Sequence, residues 1–398
     1  MRKIIYILLI CSVGTFAIEH YGSFAEWNVG ARSLAMGRAY VGLADDASSL
    51  FWNPAGVMRL KSMQAMFQMV MLYEQYNMMY AGFALPGAES ALGVEFLMLG
   101  GSGIEGRDKY NQFTQMVQDS KMAIGLTYSK RVMQNVFMGL KGKYFMRTLG
   151  ADGDMAIAGD ISLMYTLTEQ LSLGWSLNNV VGMVMGDTSD QLLSNSIVGL
   201  SYREKDLIFT IDARDNFNDW HFGAEWLLFK MLALRCGVNN YELSFGGGLN
   251  VGILQFDFAY VMKELGSNIA FSTNLSFGDS MDNMQQSKIE AYIEEAKELL
   301  LYDYFYLAKK KFENILLLDP NKQEVSAILD RINLALPHID STLEKELASW
   351  DRFKEGKKLF DANKYEEALR NFEEVQKINF GNRFVIYYID ECKQKIGK

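Results

Sequence analysis

Residues 30–56 read GARSLAMGRAYVGLADDASSLFWNPAG, and they hold the groups best placed to do chemistry. Arg32 and Arg38 supply two cations, and Asp45 and Asp46 two adjacent anions. The stretch is too polar for a buried strand and too rich in glycine for a good helix. Ion pairing with the charged wall of a lumen is the chemistry these residues suit. Small residues, among them Gly30, Gly37 and Gly56, let a chain run close to such a wall. Asn53 and Pro54 make a rigid turn, and Trp52 can anchor it at an interface or in a pocket. The segment reads as a plug.

Catalytic patterns are missing elsewhere. There is no phosphate loop and no metalloprotease motif. His20, His221 and His338 fall in three different segments, which argues against a histidine metal site. Asp212, Asp215 and Asp219 could hold calcium but lack the glycine and terminal glutamate of an EF-hand. Gly246, Gly247 and Gly248 lie inside an alternating strand, where they relieve curvature or crowding rather than cradle phosphate. None of the serines has a nucleophile's setting. The expectation is a non-enzymatic protein with no metal or cofactor. A net charge of -9 leaves no basic patch for nucleic acid.

The elements around the plug are legible from pattern. Met1, Arg2 and Lys3 followed by an apolar stretch to Val13 read as a signal peptide over 1–17, cut after Ala17. Ile10 is too large for a lipobox before Cys11. Cys236 and Cys392 lie far apart, so no disulfide framework is expected. No later segment is apolar for 18 residues. With 49% hydrophobic and 13% aromatic residues, the composition is that of a membrane β-barrel.

The plug is expected over 18–61 and the barrel over 62–278, with about fourteen period-two segments of outer-membrane type. Leu243, Phe245, Gly247, Leu249, Val251 and Ile253 share one face; Leu254, Phe256, Phe258 and Tyr260 repeat the pattern. Long connections at 100–119 and 181–193, and a medium one at 148–154, alternate with short ones at 131–133, 168–169 and 204–205. That parity places both barrel ends on the short-turn, periplasmic side. Glu95, Lys141, Lys143, Asp160, Asp212, Glu225, Arg235 and Asp257 fall opposite the bulky apolar face. In lipid each would be costly, so they are assigned to the lumen. Leu275 and Phe277 resemble a terminal insertion signal.

After a polar linker at 279–287, charged residues become denser and the period turns helical over 288–398. Tyr292, Ala296, Leu299, Phe305, Ala308, Phe312, Ile315 and Pro320 resemble the spacing of a tetratricopeptide repeat. Gly356, Leu359, Tyr365, Ala368, Phe372 and Val375 resemble it again. The resemblance implies a groove for a peptide or partner helix; a structural cap or dimerisation piece is the plainer alternative.

Residues 30–37, 44–47 and 52–56 resemble the PorV/PorQ family of outer-membrane proteins, within the wider group of FadL-like barrels. Arg38 stands where that pattern expects a second glycine, and the helical domain is an addition to it. The resemblance implies a fourteen-stranded transmembrane barrel with an N-terminal plug in the bacterial outer membrane, its C-terminal domain periplasmic. It further implies a platform for protein secretion of type IX or for envelope assembly, with a periplasmic or secreted protein partner. The alternative is a FadL-like transporter of hydrophobic small molecules through a side opening. Outer-membrane lipid is the expected surroundings in either case.

Overall fold

The computed structural model describes residues 29–73, 76–150, 152–185, 192, 194–263, 266–338 and 341–397. The expected signal segment and positions 18–28 of the expected plug lie outside the described residues. The chain divides into two units, which meet between Asp282 and Asn283.

The first unit is a closed barrel. Its strands are β1 (Met63–Tyr73), β2 (Tyr76–Leu85), β3 (Ser90–Arg107), β4 (Phe113–Met133), β5 (Val136–Leu149), β6 (Asp152–Thr166) and β7 (Leu171–Met185). They continue with β8 (Asn195–Glu204), β9 (Leu207–Arg214), β10 (Asp219–Leu228), β11 (Leu232–Asn239), β12 (Leu243–Val251), β13 (Leu254–Lys263) and β14 (Gly266–Phe277). Each pairs antiparallel with its sequence neighbour, and β1 closes on β14 with Met63 opposite Phe277.

Strict alternation drives this closure. In β11, Leu232, Leu234, Cys236 and Val238 face out while Ala233, Arg235, Gly237 and Asn239 are buried. In β13, Phe256, Phe258, Tyr260 and Met262 face out, and Asp257, Ala259 and Val261 face in. A sheet apolar outside and polar inside suits lipid outside and a filled lumen within, and closing it removes the edges that lipid could not satisfy. Among the described residues no helix is long and apolar enough to cross a membrane.

Most of the long connection expected at 100–119 and of the medium one expected at 148–154 is strand instead. β3 and β4 run for 18 and 21 residues and stay paired until Arg107 meets Phe113. At about 3.3 Å per residue, 21 residues reach roughly 70 Å, far beyond the ~25 Å apolar band of such a barrel. Past the band both faces meet water, so the alternation that marks a strand fades while the ladder continues. β7 likewise extends to Met185 within the expected loop at 181–193, of which 186–191 and 193 lie outside the described residues.

The lumen is packed. Leu34, Ala35, Ala47, Leu50, Val57 and Met58 from the plug meet Met66, Val70, Met78, Tyr80, Phe137 and Met164 from the wall, all buried.

The second unit is helical: α3 (Met281–Leu301), α4 (Phe305–Leu318), α5 (Gln323–Ala335), α6 (Leu343–Asp361), α7 (Tyr365–Ile378) and α8 (Arg383–Ile396), taking α1 and α2 as the short plug helices described below. The segment expected as linker at 279–287 is thus helical from Met281. That residue still belongs to the first unit and is buried there, its N–H donating to Lys61 O at 2.7 Å, so an apolar anchor starts the helix early. Ala296, Ala308, Phe312, Ala368 and Phe372 are buried at helix contacts. A Cβ on Gly356 would lie 2.9 Å from the Phe372 ring, so glycine there lets α6 and α7 approach. Tyr365 packs edge-on against Phe360, and Pro320 follows the Asp319 cap of α4.

Glu346 on α6 is fully buried and accepts from the Leu307 N–H at 2.9 Å, in the first turn of α4. Burial raises its carboxyl above the usual carboxylate range, against the opposing pull of the α4 N–H groups. The folded state therefore holds this proton more tightly than the unfolded state. Its contribution is full below the unfolded pKa and is lost as pH rises through the folded one. In the full chain, the unfolding midpoint of the helical transition should fall as pH rises above the ordinary glutamate range, and Glu346→Gln should flatten that slope. An unchanged slope in the variant would assign the dependence to another group.

Candidate functional site

Near the start of the described part of the plug, Gly30, with φ 86°, turns the chain into α1 (Ala31–Ala35). α2 (Ser49–Trp52) and a 3-10 turn over Pro54–Arg59 follow. Arg32 on α1 is the centre of an ion network. Its Nε and Nη2 donate to both oxygens of Glu225 on β10, at 2.7 and 2.9 Å. Its Nη1 donates to Asp45 at 2.6 Å and to the Tyr40 hydroxyl at 2.9 Å, with Asp46 at 3.4 Å. Asp45 also takes Arg203 at 2.5 Å, and Asp46 accepts from the Ser48 N–H at 2.9 Å. Arg38 has φ 65°, the left-handed region that favours glycine, which is the residue the family pattern expects there. Its guanidinium reaches Glu242 at 2.8 Å.

The plug's backbone is satisfied by the wall. Asp212 accepts from the N–H groups of Tyr40 and Val41 at 2.8 and 2.9 Å, so this carboxylate holds the plug backbone. Ser172 and Ser201 both donate to Gly42 O at 2.9 Å. Ser129 donates to Pro54 O at 2.7 Å, and Ala55 N–H donates to Ser162 at 2.9 Å. Arg214 donates to Arg38 O at 2.6 Å; His221 Nδ1–H donates to Gly37 O at 2.6 Å, its Nε2 lying 2.9 Å from Asp219. Within the plug, Trp52 Nε1 donates to Val29 O at 2.8 Å, and Asn53 Nδ2 to Val41 O at 2.9 Å. A Cβ added to Gly56 would strike Ala44. Gly246, Gly237, Gly223, Gly199, Gly174 and Gly139 form a track around the inner wall where any Cβ would collide with plug atoms. The serines, Arg203, Arg214 and Glu242 were not singled out from sequence. For the serines, Arg203 and Arg214 the signal was the inward register of their strands; Glu242 lies in the turn between β11 and β12 and carried none.

The remaining lumen charges pair with each other. Glu95 pairs with Lys141, whose Nζ also donates to Leu50 O at 3.0 Å. Lys143 lies 2.7 Å from Asp160. Arg235 bridges Glu225 at 2.6 Å and Asp257 at 2.8 Å. Asp215 sits in the connection after β9, away from the Asp212 carboxylate's plug contacts. Among the described residues no group of three or more histidine, cysteine or acidic side chains is placed to hold a metal.

Two spaces flank one part of the wall. A chamber of about 80 Å³ lies inside, lined by Phe51, Trp52, Leu97, Phe145, Asn179 and Arg214 among others. A groove of about 720 Å³ lies outside, lined by Phe83, Leu92, Val94, Leu126, Tyr128 and Val181 among others. Lys141 and Asp160 border both. Between them the β6–β7 register slips: Gly159 faces Val181 but Ile161 faces Leu177. A second outer groove, about 550 Å³ near Phe209, Phe222 and Phe245, includes Gly223 and Gly237, which have plug backbone directly behind them.

No protein-family model matches the sequence, and no curated protein matches it. Among solved structures, the CymD monoaromatic hydrocarbon channel aligns with a TM-score of 0.50 and 16% identity, over 63% of this chain and 98% of that one. The Pseudomonas putida toluene transporter TodX aligns at 0.49 and 12%, over 66% and 99%. A Pseudomonas aeruginosa FadL homologue aligns at 0.45 and 9%, over 67% and 100%. At such identities the likeness to CymD is one of fold alone: a closed barrel of fourteen antiparallel strands.

Proposed function

We propose that this chain is a non-enzymatic outer-membrane barrel that moves hydrophobic small molecules sideways through its wall. The observation that carries this reading is the bulged β6–β7 wall with a chamber inside it and an apolar groove outside it. A straight path through the barrel would have to unseat a plug whose backbone is bonded around the wall, leaving many buried polar groups unmet at about 1–3 kcal/mol each. A sideways path needs only a local change at the bulge. The likeness to CymD, a monoaromatic hydrocarbon channel, favours transport over a secretion platform. The PorV/PorQ assignment and type IX secretion draw no support from these comparisons.

The helical unit is the remaining case for a partner. With the short-turn rim periplasmic, the chain leaves β14 on that side, and its helices would be a periplasmic arm for an envelope protein. The plugged barrel does not need that arm for transport.

Uptake of toluene and of N-phenyl-1-naphthylamine by cells displaying the full chain in their outer membrane tests the transport reading. Faster uptake than in cells without the chain is expected. Equal uptake of both probes, together with envelope proteins crosslinked to the full chain, would favour the platform instead.

A further inference from the structure

At the bulge, β7 carries Asn178, Asn179 and Val180 where β6 offers Asp160 alone. An insertion of this kind breaks the ladder and leaves its extra residues unpaired across the strands. Here polar contacts tie it down. The Asn179 N–H donates to Asp160 Oδ1 at 2.8 Å. Lys143 Nζ donates to the Asn179 side-chain oxygen at 2.7 Å and pairs with Asp160 at 2.7 Å. Asn179 itself sits at φ 55°, a left-handed conformation costly for a side-chain-bearing residue. The lipid side of the same place is thin. A Cβ at Gly142 would meet nothing within 4 Å, one at Gly159 nothing nearer than 3.9 Å, and Val181 is 73% exposed.

We propose that Lys143, Asp160 and Asn179 form a latch that holds the wall shut. With the latch made, the chamber has about 80 Å³, well under the ~300 Å³ or more that small-molecule sites occupy. With it released, residues 178–180 swing away, and the chamber joins the outer groove of about 720 Å³. The merged space is apolar on its outer walls, which suits a neutral hydrocarbon-like molecule. Such a ligand offers no rival partner to the three polar groups, so the latch remakes after it leaves. Opening is then a population shift driven by a ligand that fits only the open wall. This inference rests on the transport reading and supplies its gate.

Two full-length variants test it, both in a Cys236→Ser, Cys392→Ser background. Gly159→Cys with Val181→Cys places a disulfide beside the bulge, between directly opposed residues. Lys143→Met with Asp160→Asn removes both latch charges without stranding either. Uptake of N-phenyl-1-naphthylamine should stop in the oxidised lock, return on reduction, and rise by roughly tenfold in the latch-free pair. If the background chain transports and the oxidised lock transports equally, the latch is overturned while transport stands. If no chain transports, the transport reading fails, and amide exchange over residues 176–182 decides the latch by itself. Exchange should quicken there in the latch-free pair; unchanged exchange overturns the latch.

Discussion

Replacing Arg32 by methionine should destabilise the folded chain by about 3–5 kcal/mol, the cost of breaking a buried ion pair from one side. Arg32 is buried, and its fork is the shared partner of Glu225, Asp45 and Asp46. Without it, Glu225 keeps Arg235 and Asp45 keeps Arg203, but three carboxylates then face the lumen with one cation fewer. Arg32→Lys restores the charge and not the two parallel bonds to Glu225, so it should recover only part of the loss. Arg32→Met combined with Glu225→Gln should cost less than the sum of the two single changes, because the pair is coupled. Urea unfolding of the full chain in detergent micelles reads all four. A wild-type midpoint for Arg32→Met would mean that the network does not hold the plug.

The barrel was legible because lipid imposes a rule on every second residue. Arg235 between Leu234 and Cys236 could face only inward, and Asp257 between Phe256 and Phe258 likewise. The rule says nothing about which charges meet. Glu225 binds Arg235 on the neighbouring strand but also Arg32, which is 193 positions away along the chain. Pairing of that kind depends on where the plug lies, and no periodicity records it. The same limit hid the latch: Lys143 and Asp160 read as two lumen charges, and Asn179 carried no signal, because its importance comes from a slipped register.

The rule also fails where lipid ends. Residues 100–119 read as a loop because water on both faces erases the alternation, although the ladder runs on to Arg107. In the plug the difficulty was different. Composition showed small residues against a wall, but the matching glycines belong to six separate strands, and each alone reads as a weak point in its sheet. Gly246 illustrates this: it was read as relieving crowding, and the crowding comes from Ala35 of the plug and from Phe258 O.

Gly237→Leu should be the most damaging single change on that track. Gly237 on β11 lies against Gly37 of the plug, so that a Cβ would strike the Gly37 nitrogen and the Met36 carbonyl carbon. Both are backbone atoms, and a rotamer change cannot move them aside. The plug is as close to this wall from its own side. Gly37 is at φ 63°, and its own Cβ position would lie 2.7 Å from Phe222 O and from Val238 N. Ordinary overpacking costs about 1–3 kcal/mol when side chains can shift; a backbone collision on both sides should exceed that and expel the plug. The expected result is a membrane-inserted chain that proteases cut within 31–60, with loss of compact, heat-sensitive migration on gels. Gly142→Ala is the matched control, because its added methyl meets open space. A protease-resistant plug in Gly237→Leu would show that the plug has room to move off the wall, and the argument against a straight path through the barrel would fall.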